Sequence, residues 1–185
     1  MARIDDFRAN LTGGGARPSQ FRVEINFPTI AGAEGVLAAF KAPFLIKAAS
    51  LPSSIIQPLE VPFRGRNAKL PGDRVFENWN IQVINDNQMT LRNAFETWSN
   101  AIVGHASTNG ILTPGNLVAS ARVFQLDRND NIVKVYKFND VWPQAVSSIG
   151  LDFGNAGAVE EFSVELSLDY WTTESTVTNF QTTDS

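Results

Sequence analysis

The chain has 185 residues, a formal charge of −4 and a pI near 5.0. It is long enough for one domain with a substantial core, and its acidity argues against general affinity for nucleic acid or anionic lipid. It contains no cysteine, which excludes disulfide scaffolds, thiolate metal sites and cysteine nucleophiles.

Charged residues make up 18% of the chain, below the usual quarter, and the polar remainder is rich in Asn, Ser, Thr and Gln. That profile suits a β-protein that hides much of its surface in assembly. No apolar run approaches the roughly 18 residues of a membrane span. The opening Met1-Ala-Arg-Ile-Asp-Asp-Phe-Arg8 lacks a signal-peptide apolar core. A protein made and used without export, with no membrane anchor, is expected.

Ile4, Phe7 and Leu11 recur at helical spacing and predict a short helix within residues 1–12. Thr12-Gly-Gly-Gly-Ala-Arg-Pro18 breaks it. Phe21, Val23, Ile25 and Phe27 alternate with polar residues and predict a strand that Pro28 ends. Residues 29–42 are rich in Ala and Gly and read as an irregular connection with about one helical turn. Phe44 to Ala49 reads as a short strand. Residues 57–75 carry Pro58, Pro62 and Pro71 and read as a long loop, a class of segment that tends to be functional. A strand follows at 76–84, with Trp79, Ile81 and Val83 on one face.

The clearest helix spans residues 88–103, where Leu91, Phe95, Trp98 and Ile102 form one apolar stripe. Asn85 or Asp86 is placed to cap it, Asn85 with Gln88 fits a capping box, and Gly104 ends it. Residues 105–116 read as a polar loop. Val118 to Leu126 and Ile132 to Phe138 predict a hairpin around Arg128-Asn-Asp-Asn131. Asn139-Asp-Val-Trp-Pro143 breaks that pattern, and Val146 to Phe153 reads as a further short strand.

Residues 161–170 alternate without error. Phe162, Val164, Leu166, Leu168 and Tyr170 form a dry face. Glu161, Ser163, Glu165, Ser167 and Asp169 form a wet, acidic one with no basic residue. About seven strands and one solid helix argue for a mainly β chain: a β-sandwich or small barrel with one packed α-helix and long interface loops. Residues 1–171 read as a single domain and 172–185 as a loose Thr/Ser-rich tail.

Chemistry of the catalytic kind finds little support. His105 is the only histidine and sits in a polar loop after a helix, so a Ser-His-Asp triad has one poor candidate. Asp127, Asn129, Asp130 and Asn131 lack the Gly and terminal Glu of a calcium loop. Gly13-Gly-Gly15 follows no strand and has no phosphate-loop lysine. Glu160 and Glu161 are strand neighbours that face opposite ways, not two acids converging on a cleft. Asn10-Leu-Thr12 is a formal glycosylation sequon without an export signal. No cofactor or metal is expected. Arg64, Arg66, Lys69, Asp73 and Arg74 concentrate charge in the 57–75 loop, which suits contacts with a neighbouring subunit better than nucleic acid.

Taken in order, several stretches resemble the tail tube proteins of contractile-tailed bacteriophages. Ala16-Arg-Pro-Ser-Gln-Phe-Arg-Val-Glu-Ile25 resembles that family's opening strand. Ala48-Ala-Ser-Leu-Pro52, Phe63-Arg-Gly-Arg66 and Leu70-Pro-Gly-Asp73 resemble its long central loop. Trp79 through Asn85-Asp86, Met89, Arg92 and Phe95-Glu-Thr-Trp98 resemble its strand-to-helix junction. Phe138 to Pro143 and Phe162 to Trp171 resemble its aromatic-Pro corner and last strand. Residues 29–42 and the tail have no counterpart in that pattern.

The resemblance implies a virion subunit, assembled in the host bacterial cytoplasm, that forms stacked sixfold rings. The implied inner wall is a continuous β-barrel built from strands of every subunit. The implied partners are further copies of itself, the tail sheath, the tape-measure protein, the baseplate hub or tube initiator, the tail terminator, and DNA passing through without specific binding. Related tubes serve tailocins and secretion-type injection systems. A β-sandwich binding module of a virion is the alternative from another class. In a tube, Glu161, Ser163, Glu165, Ser167 and Asp169 would line the channel, where acids repel DNA phosphate, and the 57–75 loop would join subunits.

Overall fold

In the computed structural model, which describes residues 3–10, 15–105, 114–155 and 157–174, strands form where the alternating apolar set reaches a common core. In chain order the elements are α1 (Ile4–Asn10), β1 (Phe21–Asn26), a 3₁₀ turn at Thr29–Ala31, α2 (Gly32–Leu45), β2 (Ile46–Ala49), β3 (Ser54–Phe63), β4 (Arg66–Phe76) and β5 (Trp79–Ile84). They continue with α3 (Thr90–Ile102), a 3₁₀ turn at Pro114–Asn116, β6 (Ala119–Leu126), β7 (Ile132–Val146), β8 (Glu161–Ser167) and β9 (Tyr170–Glu174). The chain is mainly β, as expected, and among the described residues the pairing is antiparallel throughout and forms no closed barrel.

Seven strands form one sheet in the order β1-β6-β7-β8-β5-β2, with β9 also on β7. Strand β7 has 15 residues and belongs to both halves of that sheet. Its residues up to Val141 pair with β6, while on the other side Val135–Asn139 pairs with β9 and Trp142–Val146 with β8. The expected break at Asn139-Asp-Val-Trp-Pro143 is instead an irregularity within the strand. Asp140 takes φ 54° there, and the register with β6 slips between Ala119 and Ala121. The expected strand over 146–153 does not form; the pairing stretch ends at Val146.

Side chains from both halves meet in one cluster. Val23 and Ile25 of β1 and Val123 of β6 share it with Ile81 and Val83 of β5 and Val164 and Leu166 of β8. Trp79 stacks on Phe138 across the halves, ring centres 4.6 Å apart. Helix α3 buries Leu91, Ala94, Phe95 and Trp98, so its expected stripe is the one that packs. Phe27 meets Phe95 and Trp98 at 5.1 and 5.7 Å, and Trp98 Nε1 donates to the Leu117 carbonyl at 2.7 Å.

The second helix is a correction. Residues 32–45 form α2, a 14-residue helix, where an irregular connection was expected, and Phe44 belongs to it rather than to a strand. Its buried residues are Gly35, Ala38 and Ala42. A Cβ on Gly35 would stand 2.7 Å from the Ala31 Cβ, so the close approach at that point requires glycine.

Asp86 ties the two helices together. Its Oδ1 accepts the Thr90 backbone N–H at 2.7 Å, its Oδ2 accepts the Thr90 hydroxyl at 2.8 Å, and Lys41 of α2 donates to the same Oδ2 at 2.5 Å. The expected Asn85–Gln88 capping box is absent; Gln88 accepts from Lys41 instead. Burial alone would raise the Asp86 pKa, but hydrogen bonds from Lys41 and Thr90 and the lysine charge outweigh it, lowering the pKa from 3.8 to about 2. A carboxylate depressed in the fold stabilises fully above its unfolded pKa, and that contribution is lost as pH falls from about 4 towards 2. Asp86→Ala is expected to cost about 2 kcal/mol at neutral pH. It should also flatten the decline in urea midpoint between pH 5 and pH 2; an unchanged decline would show that Asp86 is not the group titrating there.

Candidate functional site

Strand β8 sets Glu161, Ser163, Glu165 and Ser167 on one face because alternate residues point the same way, while Phe162, Val164 and Leu166 are buried behind them. Its neighbours extend that polar face: Glu165 lies opposite Asn80 and Ser163 opposite Gln82 of β5. The acids are not bare. Lys47 of β2 donates to Glu161 at 2.7 Å, and Asn78 Nδ2 donates to Glu165 at 2.7 Å and to Gln144 at 2.8 Å. A shallow depression on this part of the sheet is lined by Ala48, Ser50, Asn80, Gln82 and Ser163. The β8 strip, which carries acids and no basic residue of its own, therefore includes one lysine once the sheet is assembled, and nothing local to β8 announces that partner.

Asp169 departs from the expected strip. The strand ends at Ser167, and Leu168 and Asp169 link β8 to β9, with the Asp169 N–H donating to the Asn139 carbonyl at 3.3 Å. Those two residues shift the alternation by one. Tyr170, expected on the dry face, is 46% exposed. Trp171 turns in beside the core instead, against Phe76 at 6.1 Å and Tyr136 at 5.8 Å.

The half of the sheet that carries the polar face has two open sides. Strand β2 pairs with β5 alone, and beyond Val141 the β6 side of β7 has no strand partner among the described residues. Open sheet edges invite pairing with another chain.

The expected 57–75 loop is instead most of a two-stranded arm. Strands β3 and β4 pair with each other in a sheet of their own, closed by a two-residue turn at Arg64 (φ 44°) and Gly65 (φ 80°). Register places Leu59 opposite Leu70, Val61 opposite Ala68 and Phe63 opposite Arg66 on one face. The other face holds Pro58 opposite Pro71, Glu60 opposite Lys69 and Pro62 opposite Asn67. On that face Lys69 pairs with Glu60 at 3.6 Å, and Asn67 Nδ2 donates to Glu60 at 3.1 Å. The arm is thus amphipathic, yet Leu59, Val61, Phe63 and Leu70 are all exposed.

The five charged residues singled out in this segment do not form a cluster. Arg64 lies over the Phe63 ring at the tip, Arg66 stands opposite Phe63, and Lys69 is in its ion pair. Asp73 falls where the register slips, and Arg74 donates to the Ser54 hydroxyl at 3.4 Å near the base. The apolar row was the feature missed. Leu59, Val61 and Phe63 do alternate in the sequence, but Pro58 and Pro62 between them argued against a strand.

Elsewhere the chemistry is structural. The Asp127 carboxylate accepts the N–H groups of Asn129 and Asn131 and the Asn131 side-chain amide, closing the β6–β7 turn; those bonds lower its pKa. His105 is exposed, its backbone N–H donating to Asn100 Oδ1. Among the described residues no three His, Asp or Glu side chains are grouped to hold a metal ion, and no helix is long and apolar enough to cross a membrane.

Comparison with known proteins supplies the context for these surfaces. The phage tail tube protein family matches residues 16–174. The tail tube protein gp19 of Enterobacteria phage T4 is 31% identical over 170 residues, covering 91% of this chain and 98% of that one. A tail tube protein of Serratia phage KSP90 is 29% identical over 168 residues, covering 90% and 94%. In fold, the chain resembles a subunit in the sheath/tube terminator of an extracellular contractile injection system, with TM-score 0.64 at 11% identity over 87% of this chain and 97% of that one. It likewise resembles one in the tube-terminating cap of the anti-feeding prophage, with TM-score 0.63 at 15% identity over 87% and 91%. The chain belongs to the phage tail tube protein family.

Proposed function

We propose that copies of this chain pair edge to edge into sixfold rings, that the rings stack, and that the polar face of β2, β5, β8 and the end of β7 lines the lumen. The coarser role is plain: the protein is a structural tail tube subunit of a contractile-tailed phage, not an enzyme. One observation carries the finer reading: a four-strand half-sheet with a packed back, a polar front and open strands at both sides. Joining β2 of one copy to the end of β7 of the next satisfies both edges and makes the fronts one continuous wall. Glu161, Ser163, Glu165 and Ser167 then face the channel, with Asp169 at its rim.

The arm serves contacts between subunits. An isolated two-stranded ribbon is marginally stable in water, so its apolar face gains most by packing on another copy. Three prolines deny it backbone donors, which favours docking by that face over edge-on pairing. Sheath, baseplate, terminator and tape-measure contacts, DNA passage and assembly in the host cytoplasm complete the proposal. The solved structures that share its fold are chains of a baseplate, a sheath-tube complex and a sheath/tube terminator of contractile systems, which supports that reading.

Purified protein, at high concentration or with an initiator, is expected to form sixfold rings or tubes by negative-stain microscopy. A monomer under every condition, with no ring in any particle, would sink the reading. The lumen assignment has its own check. Ser163→Lys with Glu165→Lys, which leaves the Glu161–Lys47 pair intact, should permit assembly but slow genome release. The slowing should fade as salt rises, because screening shortens the reach of wall charges to about 8 Å at physiological ionic strength. Identical release at all ionic strengths would remove these residues from the channel.

A further inference from the structure

The β3–β4 arm leaves the body at one end of the half-sheet that carries the polar face. The Ser50 N–H donates to the Asn80 carbonyl at 2.9 Å, the Glu77 N–H donates to the Ser53 carbonyl at 3.2 Å, and the next pair is Ser54 with Phe76. The arm therefore prolongs the β2–β5 ladder past Trp79, which lies opposite Leu166 near the end of β8. Every residue of β3 and β4 except Ser54 and Phe76 at the base is exposed, so the arm does not fold back onto the sheet. At about 3.3 Å per residue, Phe63 stands roughly 30 Å out from Ser54.

We infer that the tip of this arm, Phe63 with Arg64 and Arg66, docks on a second copy of the chain in the next ring, in a hollow at the opposite end of that copy's half-sheet. The hollow lies between the exit of β7 and the entry of β8, has a volume of about 350 Å³ and is lined by Leu151, Asp152, Val159 and Glu160 among others. The inference rests on the stacked rings proposed above and names the surface that receives the arm.

Three observations match tip to hollow. First, they lie at opposite ends of the half-sheet. The arm leaves beyond Ser167, whereas the Ser147 N–H bonds the Ser163 carbonyl and the Asn85 N–H bonds the Glu160 carbonyl, both at 2.9 Å, which ties the hollow to the Glu161 end. An arm that points away from its own hollow meets that of the next ring when rings stack facing the same way. Second, the charges are complementary. Among the described residues neither Arg64 nor Arg66 is ion-paired, and neither is Asp152 nor Glu160. Residues 147–160 hold those two acids and no basic residue, and opposite charges on facing surfaces set the register of a contact. Third, both sides present apolar surface: Phe63 is 66% exposed, Leu151 86% and Val159 65%, and docking removes all three from water. A tip and a hollow on different surfaces of one molecule make a head-to-tail contact, the kind that repeats along an open-ended filament.

Charge reversal from both sides tests the pairing. Arg64→Glu with Arg66→Glu sets like charges against each other, so the concentration needed for half-maximal tube formation is expected to rise roughly tenfold or more, with the monomer's thermal transition unchanged. Asp152→Arg with Glu160→Arg should do the same. All four changes in one chain should recover most of the loss, which independent local damage at the two sites would not. The absence of cysteine allows a second measurement. Phe63→Cys with Val159→Cys, oxidised in assembled tubes, should give a ladder of linked multimers on a non-reducing gel, and each single variant dimers at most. Tubes that form normally with either reversal, or reversals that fail to rescue each other with no ladder, overturn this docking and leave ring assembly standing. A ladder that forms equally in isolated rings places the contact within the ring and also overturns it. An unaltered protein that stays monomeric under every condition overturns the stacked rings as well.

Discussion

Leu59→Asp combined with Val61→Asp is expected to yield a folded protein that no longer stacks into tubes. Both residues lie on the apolar face of the β3–β4 arm, both are exposed, and neither belongs to the core cluster. Changes at such positions ordinarily move monomer stability by no more than about 0.5 kcal/mol. In an assembled interface the outcome differs, because each carboxylate would be buried against apolar surface without a partner, at a cost of several kcal/mol. The paired readouts are the thermal transition, unchanged, and tube length by negative stain, reduced to single rings or less. Tubes of normal length would mean that the face stays in solvent. Reversing charges on the opposite face, as in Lys69→Glu, should do much less and mainly alter salt dependence, since exposed ion pairs contribute about 0–1 kcal/mol.

Trp79→Ala is expected to do the reverse and destroy the monomer before assembly is at issue. Trp79 is fully buried and stacked on Phe138, joining the two halves of the sheet. Truncating a buried tryptophan costs about 3–5 kcal/mol, against a total stability of about 5–15 kcal/mol for an ordinary domain. A large drop in urea midpoint, or insoluble protein, is the expected result. Trp79→Phe should cost much less, because it keeps a ring against Phe138 and removes an indole N–H that is buried with no hydrogen-bond partner. Equal losses from the two variants would locate the stabilisation in something other than the stacked ring.

How far these features were legible depends on whether local pattern and burial point the same way. In β1, β5, β8 and α3 they do: the apolar residues at period two or 3.6 are the buried ones, so element type and core face followed from the sequence. In α2 they oppose each other. The buried stripe is Gly and Ala and the outward stripe is Val36, Phe40 and Phe44, so the segment reads as an irregular connection with about one helical turn. In the arm, Pro58 and Pro62 hid an alternation that was present. At Asn139 and Asp140, residues typical of a turn serve a strand irregularity. The polar face of β8 was readable as far as Ser167, but Lys47 and Asn78 reach it from sequence-distant positions. The open edges exist only once the strand order is known.

The continuity of β7 has a mechanical consequence. Its backbone runs through both halves of the sheet, so sliding one half past the other would load the hydrogen bonds along β6 and β8 in parallel rather than unzip them one by one. A load on β5 or β8 reaches β6 and β1 through the β7 backbone and, beside it, through the two-residue link from β8 to β9. The two halves of the sheet therefore resist sliding past one another.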